Sequence, residues 1–442
     1  MIIHRPGKGP LAHLWSKVEN SPHDAVAFMV IGDLLYGNNS DDLKVRLNSV
    51  QEFEKLAKEP DNFWIELIDS IMLKSSRVVV MGVPSIELQQ QMRKDEEERI
   101  QKQKDVLGDE GLKQKQKDVD EAMEKNEEEA PEEVISAVPI PSAASIKFHP
   151  MTSYMTNDAA QMENFDLNKM PVFFKFDQVN SNFVYLTTII DTNSIPQKLK
   201  LYLPLFLELI LESPILEGDV EIPYEEVVAK LAEDTIISTA GLGMGGGRFL
   251  PGAFAQSATF FIQAEPSKYN LAVAWIRKLL YQSKITAERV KVLGTKMENS
   301  ISELKRKGSK VVSIIMNSLL LNQDSNYHAS NMIRQQQFLK SLLKKLDCSP
   351  NEVLSDLEEL RFHMTTPSNM MVHLATDLSL LSDPMIPWTT FLPPHVPKKV
   401  AQPKLIQEHI MSVPPPAHII AGDKYFCKCP IKNMNNLFSR SW

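Results

Sequence analysis

Apolar residues recur at helical spacing over 25–35, over 43–56 and again over 63–73, the last run following Pro60, which suits a helix start. The run Val78-Val79-Val80-Met81-Gly82-Val83 then reads as a short buried strand. Three helices and one strand cannot bury the two faces of a sheet, so this block reads as the end of a larger domain. Its remaining strands lie elsewhere in the chain or have been lost from it. From Ile86 onward the apolar positions thin out. Leu88, Met92, Ile100, Val106 and Leu107, then Leu112, Val119 and Met123, stand in a background of Gln, Lys and Glu, all good helix formers. Gly108-Asp109-Glu110-Gly111 parts the two sets, which predicts two charged helices joined by a tight turn. One frayed, exposed helix is the alternative. The acidic run ending at Pro131 and the prolines at 139 and 141 read as an exposed connector.

Beyond the connector the pattern is denser. Alternation over 172–190 predicts two antiparallel strands with Asn180-Ser181-Asn182 at the bend, and 196–211 is a strongly apolar helix. A helix over 224–232 and a second strand pair, 235–242 with 256–264, come next. Four long helical patterns follow, at 269–281, 287–305, 311–321 and 329–346, then a shorter one at 351–361 and a strand at 370–378. This order predicts an α+β domain with helices on one face of a mainly antiparallel sheet. Proline-rich linkage over 384–403 and 414–416 leads to a last strand signal near Ile419.

Composition narrows the function classes. The chain has 442 residues, 43% of them hydrophobic and 24% charged, within the range of globular proteins of two to four domains. The net charge is −8, and it is concentrated: residues 86–136 hold 17 acidic and 9 basic residues, which leaves 39 of each sign elsewhere. That sign argues against general affinity for nucleic acid or anionic lipid. With 3 cysteines there is no disulfide framework, and a reducing compartment is expected. The most apolar stretch, 199–216, is broken by Pro204, Glu208, Glu212 and Pro214, so no membrane span is predicted. Residues 1–7 show neither a secretory nor a transit-peptide pattern, and the expected location is cytoplasmic.

Candidate chemistry is sparse. Gly241-Leu242-Gly243-Met244-Gly245-Gly246-Gly247-Arg248 is the one glycine-rich stretch. A phosphate-binding loop would need Gly-Lys-Ser/Thr or Gly-x-Gly-x-x-Gly opening a helix. A strand follows instead, so the run reads as the tip of a β-hairpin, with Arg248 lacking a second anchor for a ligand. The ten histidines are scattered, and none pairs with another on one helical face as zinc requires. Cys427-Lys428-Cys429 with His418 upstream is one pair with one intervening residue, which fits coincidence better than structural zinc. Cys348 lies in Asp347-Cys348-Ser349-Pro350, where helix capping accounts for its neighbours. No catalytic or metal-binding constellation is assigned, and substrate-binding residues are left open.

The connector over 86–138, the helix Leu203-Pro204-Leu205-Phe206-Leu207-Glu208-Leu209, the hairpin strand Thr235-Ile236-Ile237-Ser238-Thr239-Ala240-Gly241 and the helix over 269–280 together resemble the insulinase (pitrilysin) family of zinc metallopeptidases, nearest its presequence-protease branch and cytosolic relatives. That resemblance implies two bowl-shaped halves closing on a peptide chamber, each built of two α+β domains and joined by a helical hairpin. It also implies zinc held in the first domain by His-x-x-Glu-His, with the motif's Glu as general base. On this pattern residues 1–85 are the end of a second peptidase-like domain and 86–141 the hairpin connector. Residues 142–382 are a third, non-catalytic domain, and 383–442 a linker with the truncated start of a fourth. If the third domain repeats the first, Leu205 and Leu209 stand in the two histidine positions and only Glu208 is retained. Leucine has no lone pair to give zinc. The chain is therefore expected to hold no cofactor and to be inactive by itself, a metalloprotease-like chamber wall and hinge. Peptides would be the ligands of the full-length family, and a protein partner would supply the missing half. A stand-alone interaction protein docking partners through the acidic hairpin is the competing reading.

Overall fold

Period-two runs become strands and 3.6-period runs become helices, but the order in which the strands pair departs from the linear pattern. The computed structural model describes residues 8–403 apart from 57, 138, 140–141, 143, 145–150, 160 and 322. These fall into two compact units, residues 59–150 and the remainder.

The larger unit is built on a six-stranded sheet. Its strands are β1 (Thr152–Met155), β2 (Phe173–Gln178), β3 (Val184–Asp191), β6 (Ile237–Met244), β7 (Ala253–Ala264) and β8 (Met370–Thr376), in the order β1-β2-β8-β3-β7-β6. A separate two-stranded ribbon joins β4 (Ile215–Glu217) to β5 (Val220–Ile222). Neither β1 nor this ribbon stands out in the sequence, because runs of three or four residues carry too little alternation to register. Strands β2 and β3 were expected to be neighbours. Instead β8 lies between them, parallel to β2 with Phe174 opposite Val372, and antiparallel to β3 with Thr188 opposite Val372. The remaining pairs are antiparallel.

One face of the sheet carries Phe174, Phe176, Leu186, Ile190, Phe260, Ile262, Val372 and Leu374 into the main core. Helices cover this face: α8 (Gln197–Lys200), α9 (Leu203–Leu209), α10 (Tyr224–Asp234), α11 (Tyr269–Tyr281), α12 (Ala287–Leu304), α13 (Gly308–Leu320), α14 (Asn326–Ser330), α15 (Met332–Cys348) and α16 (Pro350–Met364). The helix expected over 196–211 is split into α8 and α9, since Pro204 has no N–H and its ring would clash with the carbonyl one turn back. Asn331 likewise divides the helix expected over 329–346. It closes α14, and its Oδ1 accepts the Ile333 amide at 2.8 Å to cap α15. Residues 384–403, expected as linker, begin instead inside the core. Trp388 and Phe391 are buried, Trp388 packs edge-on to Phe174, and its Nε1 donates to Tyr269 Oη at 2.6 Å, which in turn donates to the Pro384 carbonyl.

The opposite face of the sheet is only partly covered. At one end Val400 packs on Phe173, Ile189 and Met371. At the other lies α1 (Lys8–Asn20), where Ala12 meets Phe183 and Ile236, Ser16 Oγ exchanges hydrogen bonds with the Gln263 amide, and the Glu19 carboxylate accepts from Ser181, Asn182 and Tyr185. After α1 come α2 (Pro22–Tyr36), α3 (Ser40–Leu47) and α4 (Ser49–Leu56), the last two dividing at Asn48 the helix expected over 43–56.

The smaller unit holds α5 (Asp61–Ile68), which ends in a π-turn at Asp69–Leu73, α6 (Ile86–Glu127) and α7 (Glu132–Ala137). No residue of these helices is buried. Helix α6 is broken at Gly108 (φ 58°, ψ −176°), a conformation that favours glycine. A Cβ placed on Gly111 would lie 3.0 Å from that of Leu107, where a continuous helix keeps about 5–6 Å between such positions. The chain therefore folds tightly at the break. Residues 78–83 are not the buried strand expected. Their apolar side chains are 72–91% exposed, since the described residues offer them no partner strand.

Limited proteolysis of the whole chain should cut first between residues 108 and 139, where side chains bury nothing. Mass spectrometry of the earliest fragments checks this. First cuts inside 195–346 would contradict the division into units.

Candidate functional site

Helix α9 carries the positions singled out by resemblance. It packs on α12, α14 and β6, with Leu203, Leu205, Phe206, Leu207 and Leu209 all buried. Burying one leucine contributes about 2–3 kcal/mol, so Leu205 and Leu209 fasten this helix into the core instead of presenting ligands at a surface. Glu208 points the other way. Its two oxygens accept from Arg248 Nε and Nη2, each at 2.8 Å, in a bidentate pair about one-quarter exposed. At the following turn Glu212 binds Arg289 at 3.2 Å and Lys296 at 3.0 Å, and Arg289 lies 3.7 Å above the Tyr224 ring. The acidic groups of this region are thus taken up by structural ion pairs.

The glycine-rich run is the β6–β7 hairpin tip, as its sequence context suggests. Gly243 and Gly245 have φ of 65° and 70°. A Cβ on Gly246 would come within 2.1 Å of the Leu242 carbonyl, and one on Gly252 within 1.9 Å of that of Met244. Only glycine fits so close an approach of backbone to backbone. Arg248 leaves this tip to reach Glu208, so the two residues the sequence singled out separately form one contact. Free Cys348 is exposed at the end of α15, remote in sequence from both. His418, Cys427 and Cys429 lie outside the described residues.

A polar cluster that sequence reasoning missed lies on the partly covered face. Asp177 on β2 accepts from Ser153 Oγ on β1 at 2.6 Å and from His373 Nε2 on β8 at 2.7 Å, with Lys175 Nζ at 3.3 Å. Asp177 and His373 are 196 residues apart, and only the insertion of β8 beside β2 brings them together. Burial pushes the Asp177 carboxyl up, but the hydrogen bonds from Ser153 and His373 and the neighbouring positive charges outweigh it and hold the group below its ordinary value. The serine donates to the carboxylate and not to the imidazole, so this is no nucleophile–base pair. Among the described residues no group of three or more His, Cys, Asp or Glu is disposed to hold a metal ion. No described helix is long and apolar enough to cross a membrane.

Comparison with known proteins gives these positions their setting. Residues 83–220 match the family of segments associated with peptidases of family M16, subfamily C. The chain is 26% identical over 373 residues to the uncharacterized protein C3H1.02c of Schizosaccharomyces pombe, which covers 81% of this chain and 36% of that protein. It is 23% identical over 372 residues to the uncharacterized protein C05D11.1 of Caenorhabditis elegans, covering 83% and 36%. The chain therefore spans about a third of the length of these relatives. Among solved structures it is similar to the peptidase M16 inactive domain from Pseudomonas fluorescens, at 12% identity and a TM-score of 0.38, over 59% of this chain and 54% of that one. The chain carries an insulinase-like, peptidase-associated segment, and the unit into which that segment leads is α+β with a mainly antiparallel sheet.

Because the Asp177 carboxyl titrates below its unfolded value of about 3.9, the stability it supplies is complete above that pH and is lost as pH falls through the lower folded value. Asp177→Asn should lower stability at pH 7 by about 1–3 kcal/mol and flatten the fall below about pH 4. Urea titrations from pH 7 to 3 check both effects, and an unchanged acid limb would contradict the cluster.

Proposed function

We propose that this chain is a non-catalytic portion of an insulinase-family zinc metalloendopeptidase, serving as wall and hinge of a chamber in which peptides are degraded, and that it works in the cytosol. The carrying observation is the state of α9. Where the resemblance places a zinc-binding helix, Leu205 and Leu209 are buried in the core and Glu208 is held bidentately by Arg248. A carboxylate so paired is not available as general base to a metal-bound water. Zinc in such a protein is a property of a different domain. The segment over 83–220 supports the hinge assignment, since it contains the broken, charged helix α6.

The partner is proposed on the same footing. Helix α2 is apolar on nearly every side and leaves Phe28, Ile31, Leu34, Leu35 and Tyr36 exposed. A helix of that kind is made for burial. It would dock a protein body supplying the absent half of the chamber, whose cover it lacks here.

Elemental analysis and peptidase assays on the purified chain test the reading. The expected outcome is zinc far below one per chain and no cleavage of unstructured peptides. Stoichiometric zinc with chelator-sensitive cleavage would overturn it.

A further inference from the structure

Strand β6 is the outermost strand of the sheet, bonded to β7 alone. An edge strand turns alternate N–H and C=O groups outward with no partner, and proteins blunt such edges with lysine, proline, a covering element or short length. The other edge follows that rule, since β1 has four residues. Strand β6 does not. Ile237-Ser238-Thr239-Ala240-Gly241-Leu242 contains neither charge nor proline, and its irregularity comes only after Leu242. Six residues present about 20 Å of pairable backbone.

A groove runs beside this edge on the partly covered face. Cavities of about 360 and 520 Å³ meet at Phe261. The first is floored by Thr187, Thr239, Thr259 and Gly241, and the second runs past Tyr185 and Ile237 to α1. The floor between these residues is uncharged, and Gly241 leaves the strand without a side chain where another backbone would approach. An unblunted edge beside an open, uncharged floor of small residues with one aromatic ring fits a single extended polypeptide strand. A folded domain would need a broad flat surface, and a charged ligand would find no counter-charge on that floor.

We infer that β6 is a docking edge for an extended peptide with uncharged side chains, which adds antiparallel or parallel to Ile237–Leu242 as a seventh strand and lays alternate side chains over Thr239 and Phe261. This deepens the chamber-wall reading and rests on it, by naming the part of the wall that holds peptide.

The test uses the whole chain and a fluorescein-labelled, uncharged decapeptide alternating threonine and valine. Fluorescence anisotropy should show saturable binding, and hydrogen exchange at Ile237–Leu242 should slow when peptide is added. N-methylating alternate peptide amides in the two possible sets should weaken binding at least tenfold for one set and much less for the other. Thr239→Lys should weaken binding at least tenfold with an unchanged thermal melt; if that variant misfolds, the N-methylated peptides, which leave the protein untouched, decide the matter. Absence of saturable binding, equal affinity of all three peptides, or sedimentation showing a second copy of the chain paired through β6 would overturn the inference. A zinc-free, inactive chain that binds no peptide refutes the groove alone, whereas chelator-sensitive cleavage refutes the parent reading whether or not peptide binds.

Discussion

The larger unit depends on a strand that arrives last. Strand β8 lies between β2 and β3, and its Met370, Val372 and Leu374 are fully buried. Without it β1 and β2 would have no hydrogen bonds to the rest of the sheet. Everything from α8 to α16 lies between β3 and β8 in the chain, so the helical layer must pack before the sheet can close. The entropy of closing so long a loop grows only logarithmically with its length, and the apolar contacts on β8's core face exceed it. Trp388 and Phe391 follow directly and cover Phe174 and Tyr281, which seals the inserted strand in place. The same insertion creates the Ser153, Asp177 and His373 cluster on the far face, a polar weld across three strands.

That architecture explains why α9 is structural. A helix facing the inner side of this sheet contributes most by filling space, and five of its seven residues are buried leucines or phenylalanine. Glu208 and Glu212 then serve as anchor points on the sides the core does not reach. Through Arg248 the first ties the hairpin tip to the helix, and through Arg289 and Lys296 the second ties α12 to the end of α9. The glycines of the tip let the chain turn tightly enough for Arg248 to make that reach. Chemistry that in a peptidase would be poised on a metal is here spent on rigidity.

Much of this was legible in the sequence, for identifiable reasons. Helix α11 spans the residues its periodicity marks, and β6 and β7 pair as their alternation and the glycine tip imply. Alternation, however, shows which face a residue occupies and not which strand lies beside it. The splitting of β2 from β3 by β8 was therefore invisible, and so was the Asp177 cluster that depends on it. The pairing of Glu208 with Arg248 was hidden for the same cause, although each residue drew notice separately. Val78 to Val83 misled in the opposite direction. Their composition is that of a buried strand, but composition supplies no partner, and they stand exposed. Trp388 and Phe391 were masked by surrounding prolines, which signal a linker even where two aromatic anchors are set among them.

Hydrogen exchange followed by mass spectrometry on the intact chain tests the central claim that β8 completes one cooperative core in which α9 is a structural member. Fragments covering β2, β3, α9, β7 and β8 should share the slowest exchange and lose it together on addition of denaturant, while residues 76–137 exchange at the rates of unprotected chain. Loss of protection in β8 well before β3 and β7, or an α9 that opens independently of the sheet, would contradict the account.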